Sequence, residues 1–225
     1  MIMPYNLNPF SGNGYERYTK RLIDIVMAIL LIIIFSPISL ITALFIKTDS
    51  KGAVFADVPE RIGQNGKKFK MYKLRSMINN AHSLLRTDPR FNNLYKEYKK
   101  GSYKLKSDPR ITTVGKVIRK HSIDEIPQLI NVLIGEMSIV GPRAYYPDEL
   151  QNQQSKYPQT KNLVKKVLSV KPGITGLWQV SGRSEINFDK RIALDAKYVD
   201  NISLWKDLVI MLKTPVVMIT GKGAV

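Results

Sequence analysis

The sequence predicts an α+β protein that is mostly α-helical and carries a membrane segment near its N-terminus. Three observations lead to this prediction. Residues 25–46 contain no charged side chain over 22 positions, apolar residues recur at helical spacing in several later stretches, and only two short stretches read as strands. We expect residues 1–15 to be a flexible N-terminus, 16–47 a membrane hairpin and 48–225 a cytoplasmic, membrane-associated globular domain.

The membrane segment is interrupted at its centre by Ser36 and Pro37, where the helical bond pattern loses a donor. Basic residues flank it on both sides: Arg17, Lys20 and Arg21 before it, and Lys47 and Lys51 after it. Because basic flanks prefer the cytoplasm, each end resists translocation. The pattern therefore favours a re-entrant helix–break–helix that enters and leaves by one face. The alternative is a single-pass helix with a proline kink.

The globular part begins with a predicted small β-hairpin or sheet. Strands are expected at 53–56 and 68–74, around a polar turn at 63–66 that contains two glycines. A polar helix or lid follows at 80–100, and Asp88-Pro89 breaks it.

Further helices are expected at 111–121, 126–134, within 145–168, at 188–200 and at 203–219. Several are amphipathic and basic, so they could lie at the membrane interface or pack their apolar faces into a core. A glycine-rich loop at 171–183 carries Lys171 and Arg183, which can bind phosphate.

The charge of the chain limits its partners. Lysine and arginine total 35 against 18 aspartate and glutamate, which gives a net charge of +17 and suits anionic lipid headgroups and phosphate-bearing substrates. Nucleic acid is not expected, since no helix-turn-helix, zinc or base-stacking motif is present. The absence of cysteine excludes a disulfide scaffold and thiolate metal sites.

The candidate reactive residues are Asp124 and Glu125, which follow a basic stretch and precede a helical pattern. A carboxylate at a helix start stays ionised, can hold a divalent cation and can attack phosphorus. Two helix starts are open. Ser122 and Glu125 could form a capping box, or Asp124 could be the N-cap, with Pro127 in the first turn.

The order of motifs resembles the bacterial sugar transferase family, the monotopic phosphoglycosyl transferases that begin assembly of surface polysaccharides. The matching stretches are KRLID (20–24), SP (36–37), YKLRSM (72–77), SDPRIT (107–112), SIDE (122–125), VGPR (140–143), KPGITG (171–176) and DAKYV (195–199). They cover nearly the whole chain from about residue 16.

The resemblance implies transfer of a sugar-1-phosphate from a UDP-sugar to undecaprenyl phosphate, with release of UMP, at the cytoplasmic face of the bacterial inner membrane. Asp124 matches the family's nucleophile, which forms a covalent phospho-sugar intermediate. Glu125 matches its partner, associated with Mg²⁺, so both carboxylates are the expected metal ligands. The candidate phosphate-binding residues are Lys73, Arg75, Arg119, Arg143 and Arg183. Further residues within the matching motifs are Asp108, Gly141, Pro142 and Asp195.

Two departures bear on these expectations. Ala144 stands where the family pattern usually has proline, and the insertion between residues 77 and 106 is similar to that of the larger hexose-1-phosphate transferases. The second feature favours a galactose or glucose donor, with an N-acetylated amino sugar still open. Three rival readings remain: a single-step transferase whose carboxylates only hold metal and activate the acceptor, a non-catalytic membrane scaffold, and a basic nucleic-acid binder. A homo-oligomer is also open.

Overall fold

A computed structural model describes residues 14–100, 103, 105, 107–182 and 186–220. Its helices are α1 Lys20–Asp49, α2 Ala81–Thr87, α3 Asn92–Lys100, α4 Thr113–Lys120, α5 Gln128–Ile134, α6 Pro147–Lys156, α7 Lys161–Val167, α8 Leu177–Ser181, α9 Phe188–Asp200 and α10 Leu204–Thr220. Its strands are β1 Arg61–Ile62, β2 Lys68–Phe69, β3 Ser138–Val140 and β4 Gly173–Thr175. The prediction of a mostly helical protein with small sheets is confirmed.

Two small sheets hold the loops of the domain. Strands β1 and β2 pair antiparallel, and β3 and β4 pair parallel with Ser138 opposite Gly173 and Val140 opposite Thr175. The parallel pair was not predicted, because it joins two three-residue segments that are far apart in sequence. It places the 140–143 and 171–176 motifs side by side.

The predicted strands at 53–56 and 68–74 are wrong in extent. Phe55 and Leu74 form only an isolated bridge, and β2 ends at Phe69. The backbone N–H of Tyr72 donates to the side chain of Asn131, and that of Leu74 donates to the carbonyl of Asp124. The hydrogen bonds of this stretch therefore go to the rest of the domain, including the loop that carries the candidate reactive residues.

Helix α1 runs for 30 residues with Pro37 in its interior, so the predicted division into two helices at Ser36-Pro37 is not seen. Pro37 has no N–H to donate to the carbonyl of Ile33, four residues earlier. The hydroxyl of Ser36 donates to that carbonyl instead, at 2.9 Å. The serine thus replaces the missing donor, which explains how the helix continues through the proline.

One face of α1 contacts the domain, and the other carries large apolar side chains that are exposed. Leu40 and Leu44 are 68% and 70% exposed. Within the described residues α1 is the single helix that is long and apolar enough to cross a membrane. Exposed apolar residues also line α10, where Trp205 and Leu212 are 75% and 76% exposed.

Both ends of α1 are tied to the same domain. Near its start, the guanidinium of Arg21 donates to the carbonyls of Val132 and Leu133, at 2.6 and 2.9 Å. Near its end, the guanidinium of Arg75 donates to the carbonyls of Ile46 and Ser50, at 3.2 and 2.7 Å. The two termini of the apolar helix are therefore fixed to one body.

A buried polar cluster joins the start of α1 to α10. The ammonium of Lys20 lies 2.5 Å from the Asp207 carboxylate, which also accepts hydrogen bonds from the hydroxyls of Tyr15 and Tyr198. All four side chains are buried. Beside them, Asp24 accepts from the hydroxyl and backbone of the Ser138–Ile139 segment, at 2.9 Å each. This cluster attaches α1 to the core.

Candidate active site

The candidate reactive residues lie in a tight turn between α4 and α5. Residues Ile123–Glu125 form one 3₁₀ turn, which begins after Ser122 in the left-handed region at φ 55°. Helix α5 starts later, and Pro127 is its N-cap residue. Both predicted helix starts, the Ser122–Glu125 capping box and the Asp124 N-cap, are therefore wrong, because the turn and the proline separate the two carboxylates from the helix.

Asp124 is buried, with 5% of its surface exposed. The pKa of its carboxyl is raised to about 6: burial is the largest cause and the charge of Glu125 acts in the same direction, while Lys73 and Arg119 lower it. Removal from water is thus the main effect on this group, and two cations partly offset it. A desolvated carboxylate held near cations is less solvated than an exposed one and is available to react.

Glu125 is paired with Lys73 from the stretch that follows β2. Their side chains meet at 2.7 Å, and the Glu125 side chain is 36% exposed. The backbone bond from Leu74 to Asp124 holds this stretch against the reactive turn at 2.9 Å. The YKLRSM motif therefore supplies a cation beside the carboxylates across 52 positions of sequence.

A cavity of about 300 Å³ opens over this turn. Asp124, Glu125, Lys73, Arg119 and Arg143 all line it, so five of the predicted residues meet in one place. Arg75 and Asp108 also reach its wall. A cavity that combines two carboxylates with several cations can bind a pyrophosphate and bring a carboxylate to it.

Arg143 reaches the cavity from the loop after β3. Its backbone N–H donates to Asp195 at 3.1 Å, and its guanidinium lies 5.2 Å from the ring centre of Trp178. Its Nε is 3.8 Å from the carboxylate of Glu149. Asp195 is fully buried, and burial raises its pKa to about 7, although Arg143 and Arg191 lower it.

The sequence did not indicate Glu149 and Arg191, which complete this buried group. Glu149 is fully buried and lies 3.8 Å from Arg191 as well as from Arg143. Arg191 and Asp195 are four residues apart on α9, so they lie on one helix face. The four-residue spacing from Asp195 was the sequence signal that could have identified Arg191. Glu149, in the first turn of α6, offered none beyond helix capping.

Arg75, an expected phosphate-binding residue, and Asp108, a further motif residue, both have partners within the protein. The two terminal nitrogens of Arg75 donate to carbonyls at the end of α1 and to Asn79, so they stabilise that helix end. Asp108 is bound by Arg110 at 2.6 Å, and both side chains are buried. Burial raises the pKa of Asp108, but the hydrogen bonds and charge of Arg110 outweigh it and lower the pKa. Both side chains are therefore engaged with other parts of the protein as well as lining the cavity.

The remaining predicted residues are structural or lie elsewhere. Gly141 packs against the backbone of the 171–173 segment, where an added Cβ would lie 2.6 Å from the Lys171 carbonyl. The Pro142 carbonyl accepts from Gly173 at 2.8 Å. Ser36 and Pro37 lie in α1, outside the cavity lining. Arg183 lies outside the described residues.

The protein supplies only part of the set of ligands that a magnesium ion requires. No group of three histidine, aspartate or glutamate side chains is close enough to bind a metal within the ranges that the structure describes. Magnesium commonly takes one or two carboxylates and completes its shell with water and substrate phosphates. Asp124 and Glu125 fit that mode, because both line a cavity with room for a phosphate.

Comparison with known proteins places these residues in context. The family model described as bacterial sugar transferase matches residues 15–221 of the chain. The chain is 46% identical to an uncharacterized sugar transferase of Haemophilus influenzae and 41% identical to an undecaprenyl-phosphate galactose phosphotransferase of Salmonella typhimurium. Those matches cover 99% and 93% of the chain but only 45% and 42% of the relatives. An exopolysaccharide production protein, ExoY, of Sinorhizobium fredii is 41% identical over 92% of the chain and 88% of its own length.

Proposed function

The chain belongs to the bacterial sugar transferase family, and on that premise we propose that it transfers a sugar-1-phosphate from a UDP-sugar to undecaprenyl phosphate. The observation that supports this most is the buried Asp124, which lines one cavity with Lys73, Arg119 and Arg143. A nucleophilic carboxylate and cations for a pyrophosphate are what the reaction requires. The product would begin a surface polysaccharide or glycoconjugate.

In the first step, a carboxylate oxygen of Asp124 attacks the phosphorus that carries the sugar. A bond forms between that oxygen and phosphorus, the bond from phosphorus to the bridging oxygen breaks, and UMP leaves with the electron pair. Arg119 and Arg143 would hold the phosphate oxygens and stabilise the charge that develops. Magnesium held by Asp124 and Glu125 would supply further charge neutralisation when bound.

In the second step, a phosphate oxygen of undecaprenyl phosphate attacks the same phosphorus. The bond to Asp124 breaks, the carboxylate is regenerated, and the sugar leaves on a lipid-linked diphosphate. Lys73, now paired with Glu125, is placed to hold the Glu125 side chain oriented at the cavity. The acceptor's phosphate enters at the headgroup level while its polyprenyl chain stays in the lipid.

The donor is proposed to be UDP-galactose or UDP-glucose. Relatives carry names that specify either sugar: a galactose phosphotransferase of Salmonella typhimurium, and a glucose-1-phosphate transferase of Klebsiella pneumoniae that is 39% identical. A third relative, of Aeromonas hydrophila, is named for N-acetylgalactosamine. The relatives are thus named for unmodified hexoses and for an N-acetylated hexosamine.

A direct assay tests the proposed function. Purified protein in nanodiscs is given Mg²⁺ and each UDP-sugar in turn, first without and then with undecaprenyl phosphate. We expect UMP and a sugar-phosphate adduct on the protein without acceptor, and lipid-linked sugar after the acceptor is added. UMP that forms only with acceptor, with no adduct, would indicate direct transfer. No UMP from any donor in either condition would contradict a transferase and favour a scaffold.

We further propose that both ends of α1 lie on one face of the membrane, as in the re-entrant form but with the helix continuous through Pro37, and that the domain lies on the cytoplasmic face of the inner membrane. Hydrogen bonds from Arg21 and Arg75 tie both ends of α1 to one domain, which disfavours ends on opposite faces. Basic residues flank both ends, as the cytoplasm prefers. The charge of +17 also suits contact with anionic lipids.

Because the chain has no cysteine, single cysteines can report this topology. Tyr18→Cys and Lys51→Cys place a thiol before and after the apolar part of α1, and Lys96→Cys marks the side of the globular domain. We expect an impermeant maleimide to label all three in inverted membrane vesicles and none in intact spheroplasts. Labelling of Tyr18→Cys and Lys51→Cys from opposite sides would contradict the re-entrant form and favour a single-pass helix.

A further inference from the structure

The cavity extends beyond the carboxylates to a second wall that the reaction described above does not use. This wall is built from Arg61 of β1, His82 of α2, Tyr98 of α3 and Tyr146, the residue before α6. Helices α2 and α3 form the insertion between the YKLRSM and SDPRIT motifs. The four residues come from separate elements that converge on one end of the cavity, as a ligand subsite requires.

Arg61 and Tyr146 form the rigid part of this wall. The guanidinium carbon of Arg61 lies 3.3 Å from the ring centre of Tyr146, and its Nη1 donates to the carbonyl of Ala144 at 3.1 Å. Both side chains are buried. Because the guanidinium covers this ring face at contact distance, that face cannot stack on a nucleobase.

His82 brings an imidazole ring to this wall, beside Tyr146. Its ring centre lies 5.8 Å from that of Tyr146, with the two planes tilted by 60°. Burial lowers its pKa to about 3, and the charges of Arg61, Arg110, Arg86 and Lys73 act in the same direction. The imidazole therefore stays neutral at physiological pH, with one nitrogen that donates and one that accepts.

A neutral donor–acceptor pair suits a sugar hydroxyl, which also donates and accepts. The phenol of Tyr98, which lines the same wall, offers a second such group. The phosphates of the donor belong near Lys73, Arg119 and Arg143, which line the same cavity as His82 and Tyr98. A group attached directly to the reacting phosphate can therefore reach this wall.

We propose that the wall formed by Arg61, His82, Tyr98 and Tyr146 binds the hexose ring of the donor and sets the choice between sugars. This inference rests on the proposed function. It commits to the sugar rather than the uracil, because Arg61 covers one face of the Tyr146 ring and His82 and Tyr98 bring hydrogen-bonding groups to the cavity lining. His82 and Tyr98 are the residues that read the hydroxyls.

The test compares two donors that differ only at one hydroxyl. Wild type, His82→Ala and Tyr98→Phe are assayed in nanodiscs with UDP-galactose and UDP-glucose, and UMP is measured as a competitive inhibitor that has no sugar. Ser83→Ala is the matched control, since Ser83 is exposed on α2 next to His82 and does not line the cavity. Tyr98→Phe keeps the ring and its packing, so it remains informative where His82→Ala lowers expression.

We expect His82→Ala to change the ratio of kcat/KM between the two donors by ~10-fold or more, because a lost hydrogen bond to a substrate hydroxyl alters specificity. Inhibition of His82→Ala by UMP should equal that of wild type. Ser83→Ala should equal wild type both in its donor ratio and in its inhibition by UMP. An unchanged donor ratio in both variants would overturn the proposal. Weaker UMP inhibition with equal loss for both donors would also overturn it and assign the wall to the nucleotide. Silence of wild type with every donor would instead overturn the proposed function.

Discussion

Asp124→Asn is expected to abolish the sugar-phosphate adduct and to lower UMP release by at least ~10³-fold. The amide has nearly the same size as the carboxylate and can occupy the same buried turn, but it cannot attack phosphorus. Because burial raises the pKa of Asp124, replacing it with a neutral group removes a desolvated charge and should not lower stability. Loss of activity would therefore be chemical.

The measurement is intact mass of the protein after incubation with Mg²⁺ and the preferred UDP-sugar. Asp200→Asn is the matched control, since Asp200 is about half exposed and pairs with Lys166 away from the cavity lining. It should form the adduct as wild type does. An adduct that persists in Asp124→Asn would contradict the role proposed for Asp124 and move the nucleophile to another residue.

The second large effect concerns the attachment of α1. Asp207→Ala should destabilise the protein by ~3–5 kcal/mol, since it leaves the buried ammonium of Lys20 without its carboxylate. The hydroxyls of Tyr15 and Tyr198 would lose their acceptor as well. For a chain of this size the expected fall in Tm is roughly 10 °C.

Thermal unfolding in one detergent checks this prediction. Asp200→Ala serves as the control, because it breaks an exposed ion pair whose contribution should not exceed ~1 kcal/mol. The double variant Lys20→Met with Asp207→Leu should regain part of the loss, because it removes both charges of the Lys20–Asp207 pair while Asp24 keeps its hydrogen bonds from Ser138 and Ile139. Equal Tm values for Asp207→Ala and Asp200→Ala would show that the cluster does not stabilise the attachment of α1.

Much of the helical content could be predicted because local signals are strong there. The break at Asp88-Pro89 separates α2 from α3, and the apolar spacing gave α9 and α10 to within a residue. The extent of the strands could not be predicted because the hydrogen-bond partners of these segments are distant in sequence. The backbone after β2 bonds to Asn131 and to the carbonyl of Asp124, and no local pattern shows this. The predicted break at Pro37 is wrong because the Ser36 hydroxyl donates to the carbonyl of Ile33 in place of the missing N–H.

The candidate site shows the same division. Asp124 and Glu125 could be named from adjacent carboxylates, and the motifs supplied the cations that line the cavity. Sequence could not separate a cation that pairs with a carboxylate of the site from one that is bound to the end of α1, although both line the cavity. Arg75 and Lys73 are two residues apart, yet one donates to the carbonyls that end α1 and the other pairs with Glu125. Glu149 and Arg191 are buried beneath Arg143, where only tertiary packing brings them together.

The cluster around Lys20 and Asp207 also constrains the order of biosynthesis. The two residues are 187 positions apart, so the ribosome has already released the apolar helix long before the partner of Lys20 has been made. On the membrane topology proposed above, α1 reaches the bilayer before Lys20 has met Asp207, and a headgroup phosphate can take the place of that carboxylate. Docking of the nascent domain would then exchange a lipid contact for an internal one, so on that topology we expect the last step of folding to take place at the membrane surface.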